Sequence, residues 1–157
     1  MIRITRLNHA VLYVRDVERS SQFYQSIFGF TEVAAVPGRM AFLRAINSNN
    51  HHDLGLISLG SQAPSPPLGA IGLYHLGWEV ETIEELSTAA QLLQKLGLLR
   101  GASDHGASKS LYAQDPDGHQ FEILWQVPKE VWGQLENQVF VAPLNLEQEL
   151  KHYSSLT

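Results

Sequence analysis

The fold is decided by a short strand pattern that occurs twice, as His9-Ala10-Val11-Leu12-Tyr13-Val14 and as His75-Leu76-Gly77-Trp78-Glu79-Val80. In each copy a histidine opens the β-type run, an amphipathic stretch follows, and a Gly beside an apolar residue ends it. That glycine lies 20 residues after the histidine in the first copy (Gly29) and 22 residues after it in the second (Gly97). The nearly constant spacing predicts two copies of one structural unit.

The segments after each repeat complete the unit. Apolar residues recur at helical spacing in both copies, and Thr82 with Glu85 three residues later is a capping-box sequence. Short β-type runs follow at Thr31–Val36, Met40–Ala45 and Leu54–Leu59 in the first copy, and at Leu98–Arg100, Ser108–Gln114 and Gln120–Gln126 in the second. Each copy therefore predicts the order βαβββ, and the fold class is α+β.

The predicted domain spans residues 1–127, with halves at about 3–60 and 70–127. The segment 60–69 contains three prolines and has linker composition. It is expected to join half-domains, because a half of about 60 residues is small for covering its own sheet. A C-terminal extension, residues 128–157, follows with helical potential at Lys129–Asn137 and Leu146–Tyr153.

Composition narrows the possible functions. The 157 residues are 44% hydrophobic and 17% charged, which is typical of a globular protein. Eleven Lys and Arg against sixteen Asp and Glu give a net charge of −5, which argues against nucleic acid as a partner. The absence of cysteine excludes thiolate zinc sites and cysteine nucleophiles. No apolar run approaches the roughly 18 residues of a membrane span, so we expect a cytoplasmic protein with no membrane partner.

Strand alternation selects candidate functional residues. Ala10, Leu12 and Val14 form the apolar set of the first strand, so His9 lies on the opposite face, which the helices do not cover. The same reasoning puts four further polar side chains on such a face: His75, Glu122, His52 (beside Leu54 and Leu56) and Tyr112. The candidate apolar residues that would line the site around them, its apolar wall, are Val11, Leu54 and Leu124.

Two imidazoles and one carboxylate form the facial triad that holds non-haem Fe(II) and leaves open positions for substrate and oxygen. The alternative interpretation is that His9 and His75 are ordinary strand histidines and Glu122 a solvated carboxylate. The repeat favours the triad, because chance would have to place a histidine at the same position twice.

Three segments carry a family resemblance: Leu7-Asn8-His9-Ala10-Val11, then Tyr74-His75-Leu76-Gly77-Trp78, then 104–112 running into 115–122. Over about residues 3–127 the chain resembles the vicinal oxygen chelate superfamily of glyoxalases, bleomycin-resistance proteins and extradiol dioxygenases. The third segment, with Tyr112 ten residues before Glu122, is similar to the catalytic module of type I extradiol (catechol 2,3-type) dioxygenases.

The resemblance implies a fold and a set of roles. The fold would be a curved, open eight-stranded mixed sheet around a metal-binding cavity. The metal ligands would be His9, His75 and Glu122, and the metal Fe(II), with Mn(II) as a second possibility. His52 matches the acid/base histidine, and His105 and Tyr112 match residues that hydrogen-bond the diol and oxygen.

The chain also departs from the family pattern. Glyoxalase I enzymes usually add a second glutamate from the first copy, and the corresponding stretch, His52-Asp53-Leu54-Gly55-Leu56-Ile57, has none. This favours a three-ligand site. The N-terminal companion module of two-domain dioxygenases is missing from this sequence, and pairing of superfamily modules suggests a homodimer. Trp132, Leu135, Val139 and Phe140 give the extension an apolar side that must be buried on its own domain or on a partner.

The leading functional hypothesis is cleavage of a catechol-like aromatic diol by O2. One alternative is a lyase, isomerase or thiol transferase of the glyoxalase or fosfomycin-resistance type, using Zn, Ni or Mn. Another is a metal-free binding protein of the bleomycin-resistance type. Three remaining histidines, His51, His119 and His152, are interpreted as solvated, and Asp115 and Asp117 as turn formers.

Overall fold

The computed structural model describes residues 1–67 and 69–154 and divides the chain into two compact units. The first unit contains Met1–Ala70 and Asp115–Gly118, and the second contains Ile71–Gln114 and His119–Thr157. Leu68 of the predicted linker and residues 155–157 of the predicted extension lie outside the described residues. The division into a 1–127 domain and an extension stays a prediction.

The first unit is a four-stranded mixed sheet with one helix. Its elements are β1 Ala10–Val14, α1 Val17–Phe28, β2 Thr31–Val36, β3 Met40–Arg44 and β4 Leu54–Ser58, and the strand order is β1-β4-β3-β2. β1 and β4 are parallel, and the other pairs are antiparallel. The Asp16 side chain accepts the Arg19 N–H at the start of α1, and Gly29, at φ 67°, ends it in a conformation that favours glycine.

The second unit repeats this plan. Its elements are β5 His75–Val80, α2 Ile83–Lys95, β6 Leu99–Asp104, β7 Ser108–Gln114, β8 Gln120–Gln126, 3₁₀ helices at Lys129–Val131 and Gly133–Asn137, β9 Ala142–Pro143 and α3 Leu146–Tyr153. The strand order is β5-β8-β7-β6-β9, with β5 and β8 parallel. The capping box of Thr82 and Glu85 forms at the start of α2 as predicted.

The α+β class and the two βαβββ modules are confirmed. Within the described residues the strands pair as two separate sheets, of four and five strands, where the sequence predicted eight strands in one. The additional strand, β9, is two residues long and contains a proline, so it has no alternating pattern to reveal it. The helix predicted over Lys129–Asn137 is two short 3₁₀ helices separated by Trp132, and Gly133, at φ 51°, begins the second.

Each sheet has one face covered by its own helix. In the first unit the fully buried side chains include Tyr24 of α1, Leu43 of β3 and Leu54 and Leu56 of β4. In the second, the buried side chains include Leu86 and Leu93 of α2, Leu111 of β7 and Phe121 and Ile123 of β8. Burial of these apolar side chains is the main stabilising contribution to each unit.

The burial of β4 corrects one prediction. Leu54 and Leu56 do not lie on the uncovered face: each is 0% exposed, and Leu56 pairs with the buried Leu12. The prediction extended strand alternation back to His52, but β4 begins only at Leu54. Just before β4, the Asp53 side chain accepts hydrogen bonds from the Ala45 N–H, the Ser48 hydroxyl and the Asn50 amide, at 2.9, 2.7 and 2.6 Å.

The turn between β7 and β8 belongs to the first unit, and its two aspartates also bind side chains of that unit. Asp115 does form a turn bond, accepting the Asp117 N–H. The Asp117 carboxylate, however, is paired with Arg15 Nη1 at 3.0 Å and Arg19 Nη2 at 2.7 Å. Tyr24 of α1 donates its hydroxyl proton to Asp115. Interpreting both aspartates as turn formers alone was therefore incomplete.

The C-terminal segment is packed into the second unit. α3 lies against α2, and the centroid of the Tyr153 ring is 4.9 Å from that of the Trp125 ring. The buried Lys109 ammonium pairs with Asp104 at 2.6 Å and with Glu149 of α3 at 3.2 Å. None of the helices in the described ranges has the length and apolarity needed to cross a membrane.

Candidate functional site

The central part of the site lies on the uncovered face of the second sheet. Glu122 is directly opposite Gly77 in the parallel pairing of β5 and β8. A Cβ atom at position 77 would lie 3.3 Å from Glu122 Oε2 and 3.2 Å from Leu124 Cδ2. Both distances are tighter than ordinary contact, so the missing side chain leaves the carboxylate its space. Any larger residue at position 77 would make Glu122 or Leu124 shift by a few tenths of an ångström.

His75, at the start of β5, faces this carboxylate. Its Nε2 lies 3.2 Å from Glu122 Oε2. Two donor atoms bound to adjacent positions of one divalent metal, with bonds near 2.1 Å, are about 3 Å apart, so the spacing of this pair fits a metal. Nε2 is the nitrogen that faces the carboxylate, while His75 Nδ1 is buried and has no hydrogen-bond partner within the described part of the chain.

Tyr112 of β7 connects this pair to His105. The Tyr112 hydroxyl lies 3.3 Å from Glu122 Oε1 and 2.7 Å from His105 Nε2. Burial, followed by the negative charge of Glu122, raises the Tyr112 pKa above its usual value of 10.0. The phenol therefore keeps its proton at neutral pH and can take part in hydrogen bonding as a neutral group.

His9 and His52 lie together in the first unit. His9 immediately precedes β1, and its ring centroid is 4.6 Å from that of His52, which in turn lies 4.9 Å from the Phe42 ring. His9 Nδ1 is 2.9 Å from Asn8 Oδ1. A proton on Nδ1 donated to that carbonyl oxygen leaves His9 Nε2 free as a ligand atom, the usual outer-shell arrangement of metal-binding histidines.

The geometry distinguishes His52 from its neighbour. His51 is exposed, with Nδ1 3.0 Å from His52 Nδ1, while the His52 ring packs between His9 and Phe42. Burial, then the positive charges of His9 and His51, lower the His52 pKa below 6.5. His52 is thus a neutral imidazole at pH 7, able to accept a proton.

The predicted site residues fall into two groups. His75, Glu122, Tyr112 and His105 form one connected cluster in the second unit, and His9 and His52 form another in the first. Among residues 1–67 and 69–154, no group of three or more His, Asp or Glu side chains is arranged to hold a metal ion. The three-residue ligand set therefore stays a prediction.

The apolar wall is partly revised. Val11 and Leu124 lie on the uncovered faces of their own sheets, but Leu54 does not. Phe42 takes its place: it is opposite Gly55 in the register, and a Cβ at Gly55 would lie 3.2 Å from Val11 and 3.5 Å from the Phe42 ring. The alternation of Phe42 with the buried Ala41 and Leu43 is the signal in the sequence that reveals it.

The chain belongs to the Glyoxalase/Bleomycin resistance protein/Dioxygenase superfamily, whose pattern it matches over residues 6–123. It is 32% identical over 132 residues to a catechol-2,3-dioxygenase of Bacillus subtilis, covering 82% of this chain and 44% of that protein. It is 28% identical over 130 residues to a manganese-dependent 2,3-dihydroxybiphenyl 1,2-dioxygenase of Geobacillus genomosp. 3, covering 80% of this chain and 38% of the relative. The chain thus spans less than half the length of both relatives.

The fold has solved counterparts. The structure of a possible glyoxalase from Bacillus cereus superposes with a TM-score of 0.60 at 24% identity, covering 77% of this chain and 99% of that chain. This likeness establishes the shared fold.

Proposed function

We propose that the protein is a metal-dependent extradiol dioxygenase that opens the ring of a catechol-like aromatic diol with O2. The observation that carries the proposal is the cluster in the second unit. There an imidazole and a carboxylate at ligand spacing lie beside a phenol that is hydrogen-bonded to a second imidazole. Relatives named as dioxygenases of catechol and dihydroxybiphenyl support the same reaction class.

The proposed metal ligands are His9, His75 and Glu122. Two nitrogen donors and one oxygen donor suit Fe(II), and Mn(II) accepts the same set; one relative is named as manganese-dependent. When bound, such a metal supplies a Lewis-acid centre that orients and polarises both diol oxygens and gives O2 a place to react. Glu122 would contribute the single negative charge, and the absence of a side chain at Gly77 leaves room for its carboxylate.

The surrounding side chains would handle protons and exclude water. His52, neutral at pH 7, would take a proton from a diol hydroxyl and return it to a developing oxyanion. Tyr112 and His105 would hold the diol by hydrogen bonds. Val11, Phe42 and Leu124 would form an apolar wall, and a dry site strengthens every electrostatic interaction within it.

One alternative has an observation against it. A glyoxalase-type isomerase with Zn or Ni would draw a second carboxylate from the first module, at the position that corresponds to Glu122. That position is Gly55, and the space above it is occupied by Val11 and Phe42. The first module therefore lacks the carboxylate, and a larger side chain at position 55 would press on Val11.

The proposal is tested by metal reconstitution. The metal-free protein is loaded under argon with Fe(II), Mn(II), Zn(II) or Ni(II) in separate samples, and each is given a panel of catechols with air, or a hemithioacetal without it. We expect oxygen uptake and a yellow ring-opened product with Fe(II) or Mn(II). Isomerase activity with Zn or Ni and no oxygen uptake would reject the dioxygenase in favour of the alternative. Diol binding at full affinity without any metal would favour a binding protein.

The role of His52 has its own test. His52→Gln should lower kcat by about 100-fold or more, the usual contribution of a positioned acid/base group, and leave the bound metal in place. The control is His152→Gln in α3, an exposed histidine of the second unit, which should stay within about threefold of the parent. Equal losses in the two variants would remove His52 from the mechanism.

We also propose that the protein is a cytoplasmic homodimer. Members of this class pair their modules, and here the partner module would come from a second copy of the chain. Light scattering on the purified chain measures the assembly directly. A monomer that cleaves diols at full rate would separate assembly from activity and reject the dimer.

A further inference from the structure

A buried lysine joins the C-terminal helix α3 to the turn that carries His105. Lys109 of β7 is directly opposite Asp104, the last residue of β6. Its side chain is 5% exposed, and its ammonium lies 2.6 Å from Asp104 Oδ1 and 3.2 Å from Glu149 Oε2 of α3. Strand alternation puts Lys109 with the buried Leu111, on the helix-covered face of the sheet. The proposed reaction, which takes place on the other face, gives this ammonium no role.

The Asp104 carboxylate also closes the turn. The oxygen that accepts the Lys109 ammonium, Oδ1, accepts the Gly106 N–H at 2.7 Å. This is an Asx turn, in which an aspartate side chain accepts the N–H two residues later, and His105 is its central residue. The His105 N–H donates to the Ser108 carbonyl oxygen at 2.9 Å. The place of His105 at the end of the sheet therefore depends on where the Asp104 carboxylate points.

The turn and the ring that it carries are closely packed. Gly106 is buried, and a Cβ at this position would lie 2.8 Å from the Leu135 Cδ2 atom. A buried N–H that loses its acceptor costs free energy, so the Gly106 N–H depends on the Asx bond. The His105 ring lies 3.3 Å from the Phe140 carbonyl oxygen through Nδ1 and 2.7 Å from the Tyr112 hydroxyl through Nε2. A shift of the turn would change both distances.

The buried charges favour a positioning role over a purely stabilising one. Removing an ammonium from water is costly, and apolar side chains of similar volume stabilise a protein as well as a buried ion pair does. An apolar side chain, however, cannot direct a carboxylate. Asp104 is 19% exposed, so without the Lys109 ammonium its oxygen would turn toward water. The ammonium keeps that oxygen at the turn.

We propose that Lys109 is a positioning residue for His105: its ammonium, held by Glu149 of α3, fixes the Asp104 carboxylate that closes the His105 turn. The role deepens the proposed function and rests on it, because His105 is there a group that holds the diol. The docking of α3 on one face of the second sheet thereby contributes to the geometry of the site on the other face.

The ammonium and its α3 partner are removed together in the double variant Lys109→Met/Glu149→Leu. Apolar side chains replace the buried pair, so the second unit should stay folded, which circular dichroism checks. The Asp104 side chain remains but loses its ammonium. The matched control is Lys151→Met/Glu147→Leu, which makes the same two changes at an ion pair of α3 that is 75% and 80% exposed.

The test is amide hydrogen exchange, followed by nitrogen-15 NMR, in the metal-free full-length chain. We expect the Gly106 N–H to be protected in the parent and in the control. In Lys109→Met/Glu149→Leu it should exchange at least about tenfold faster, while the N–H of Leu111, in the middle of β7, exchanges as it does in the parent. A change at Gly106 alone is local to the turn, whereas a role in the stability of the whole unit would affect both amides.

The outcomes separate this proposal from the dioxygenase proposal. An unprotected Gly106 N–H in the parent overturns the positioning role, and so does unchanged Gly106 exchange in the folded double variant. Equal acceleration at Gly106 and Leu111, or a double variant that does not fold, also overturns it, because the buried charges would then stabilise the whole unit. No metal, diol or oxygen is present, so these results are independent of ring cleavage.

The metal-loaded protein gives a second measurement. We expect Lys109→Met/Glu149→Leu to lower kcat/KM for the diol by about tenfold through misplacement of His105, with the same amount of bound metal per chain as the parent. The control Lys151→Met/Glu147→Leu should match the parent in both quantities. Loss of bound metal in the first double variant would contradict a role confined to the His105 turn.

Discussion

The two units have the same strand pairing but carry opposite residues at the equivalent positions. In the second unit a large carboxylate, Glu122, faces the glycine Gly77; in the first unit the glycine, Gly55, faces the larger Val11. Beside each pair the next strand places an aromatic residue, with a hydroxyl in the second unit (Tyr112) and without one in the first (Phe42). One backbone thus presents a polar cluster in one copy and an apolar surface in the other.

The difference separates the two copies by the donor groups that each one presents. Each copy retains its histidine, but only the second pairs it with a carboxylate and the space that the carboxylate needs. The first copy uses the same location for apolar side chains beside His52. The copy that pairs a histidine with a carboxylate has its glycine on the edge strand β5, whereas the other copy has its glycine on β4, next to the edge strand β1.

The largest expected effect is at the carboxylate. Glu122→Gln keeps the shape but removes the negative charge, so metal affinity should fall by at least about 100-fold and ring cleavage should become undetectable. Glu79→Gln, on the exposed part of β5, is the control and should bind metal as the parent does. Calorimetric titration with Mn(II) measures both. Equal affinities would mean that the second unit does not hold the metal.

The aromatic positions allow a reciprocal exchange. Tyr112→Phe should reduce kcat by about 10- to 100-fold and leave metal content unchanged, because only the hydroxyl is lost. Phe42→Tyr adds a hydroxyl at the equivalent place, where no carboxylate is opposite, and should change kcat by less than about threefold. Steady-state kinetics compare the two, and similar losses in both variants would show that the units are not differentiated in this way.

The two glycines give a smaller and more selective effect. A methyl group at position 77 presses on Glu122, so Gly77→Ala should weaken Mn(II) binding by about tenfold. At position 55 it presses on Val11 and Phe42, so Gly55→Ala should cost about 1–3 kcal/mol of unfolding free energy through overpacking, with nearly normal metal affinity. If Gly55→Ala loses metal and Gly77→Ala does not, the assignment of the two faces is reversed.

The smallest effect concerns stability at acid pH. Burial acts to raise the Asp117 pKa, but hydrogen bonds from the Arg15 N–H and side chain and the ion pair with Arg19 outweigh it, and the pKa lies below its usual 3.8. Its stabilisation is therefore complete above pH 3.8 and disappears as pH falls further. Asp117→Asn should lower the unfolding free energy by about 2 kcal/mol near neutral pH, and the difference should shrink below pH 3.8 in urea titrations. A constant difference would exclude the charge as its cause.

The sequence predicted the repeat and most element boundaries, because alternation and capping are local properties. β5, β7 and β8 begin and end where expected. The site residues of the second unit were also accessible, since parity within a single strand places Glu122 opposite Phe121 and Ile123. The resemblance supplied their roles.

What the sequence could not predict depends on tertiary contacts. The ring of His52 packs against His9 and Phe42, but strand alternation does not account for its position, because β4 begins only at Leu54. β9 has no sequence pattern of its own, and its pairing with β6 exists only in the folded unit. The contact of the Phe140 carbonyl with His105 has no sequence signal at all, since any residue supplies a carbonyl.

The most direct test of the account is the stoichiometry of oxygen uptake by the Fe(II)-loaded chain. With excess O2 and a measured amount of catechol, the account predicts one O2 consumed and one ring-opened product formed per diol, with no activity in His75→Ala or Glu122→Gln. Loaded protein that consumes no oxygen with any diol, or parent-level uptake in both variants, would contradict it.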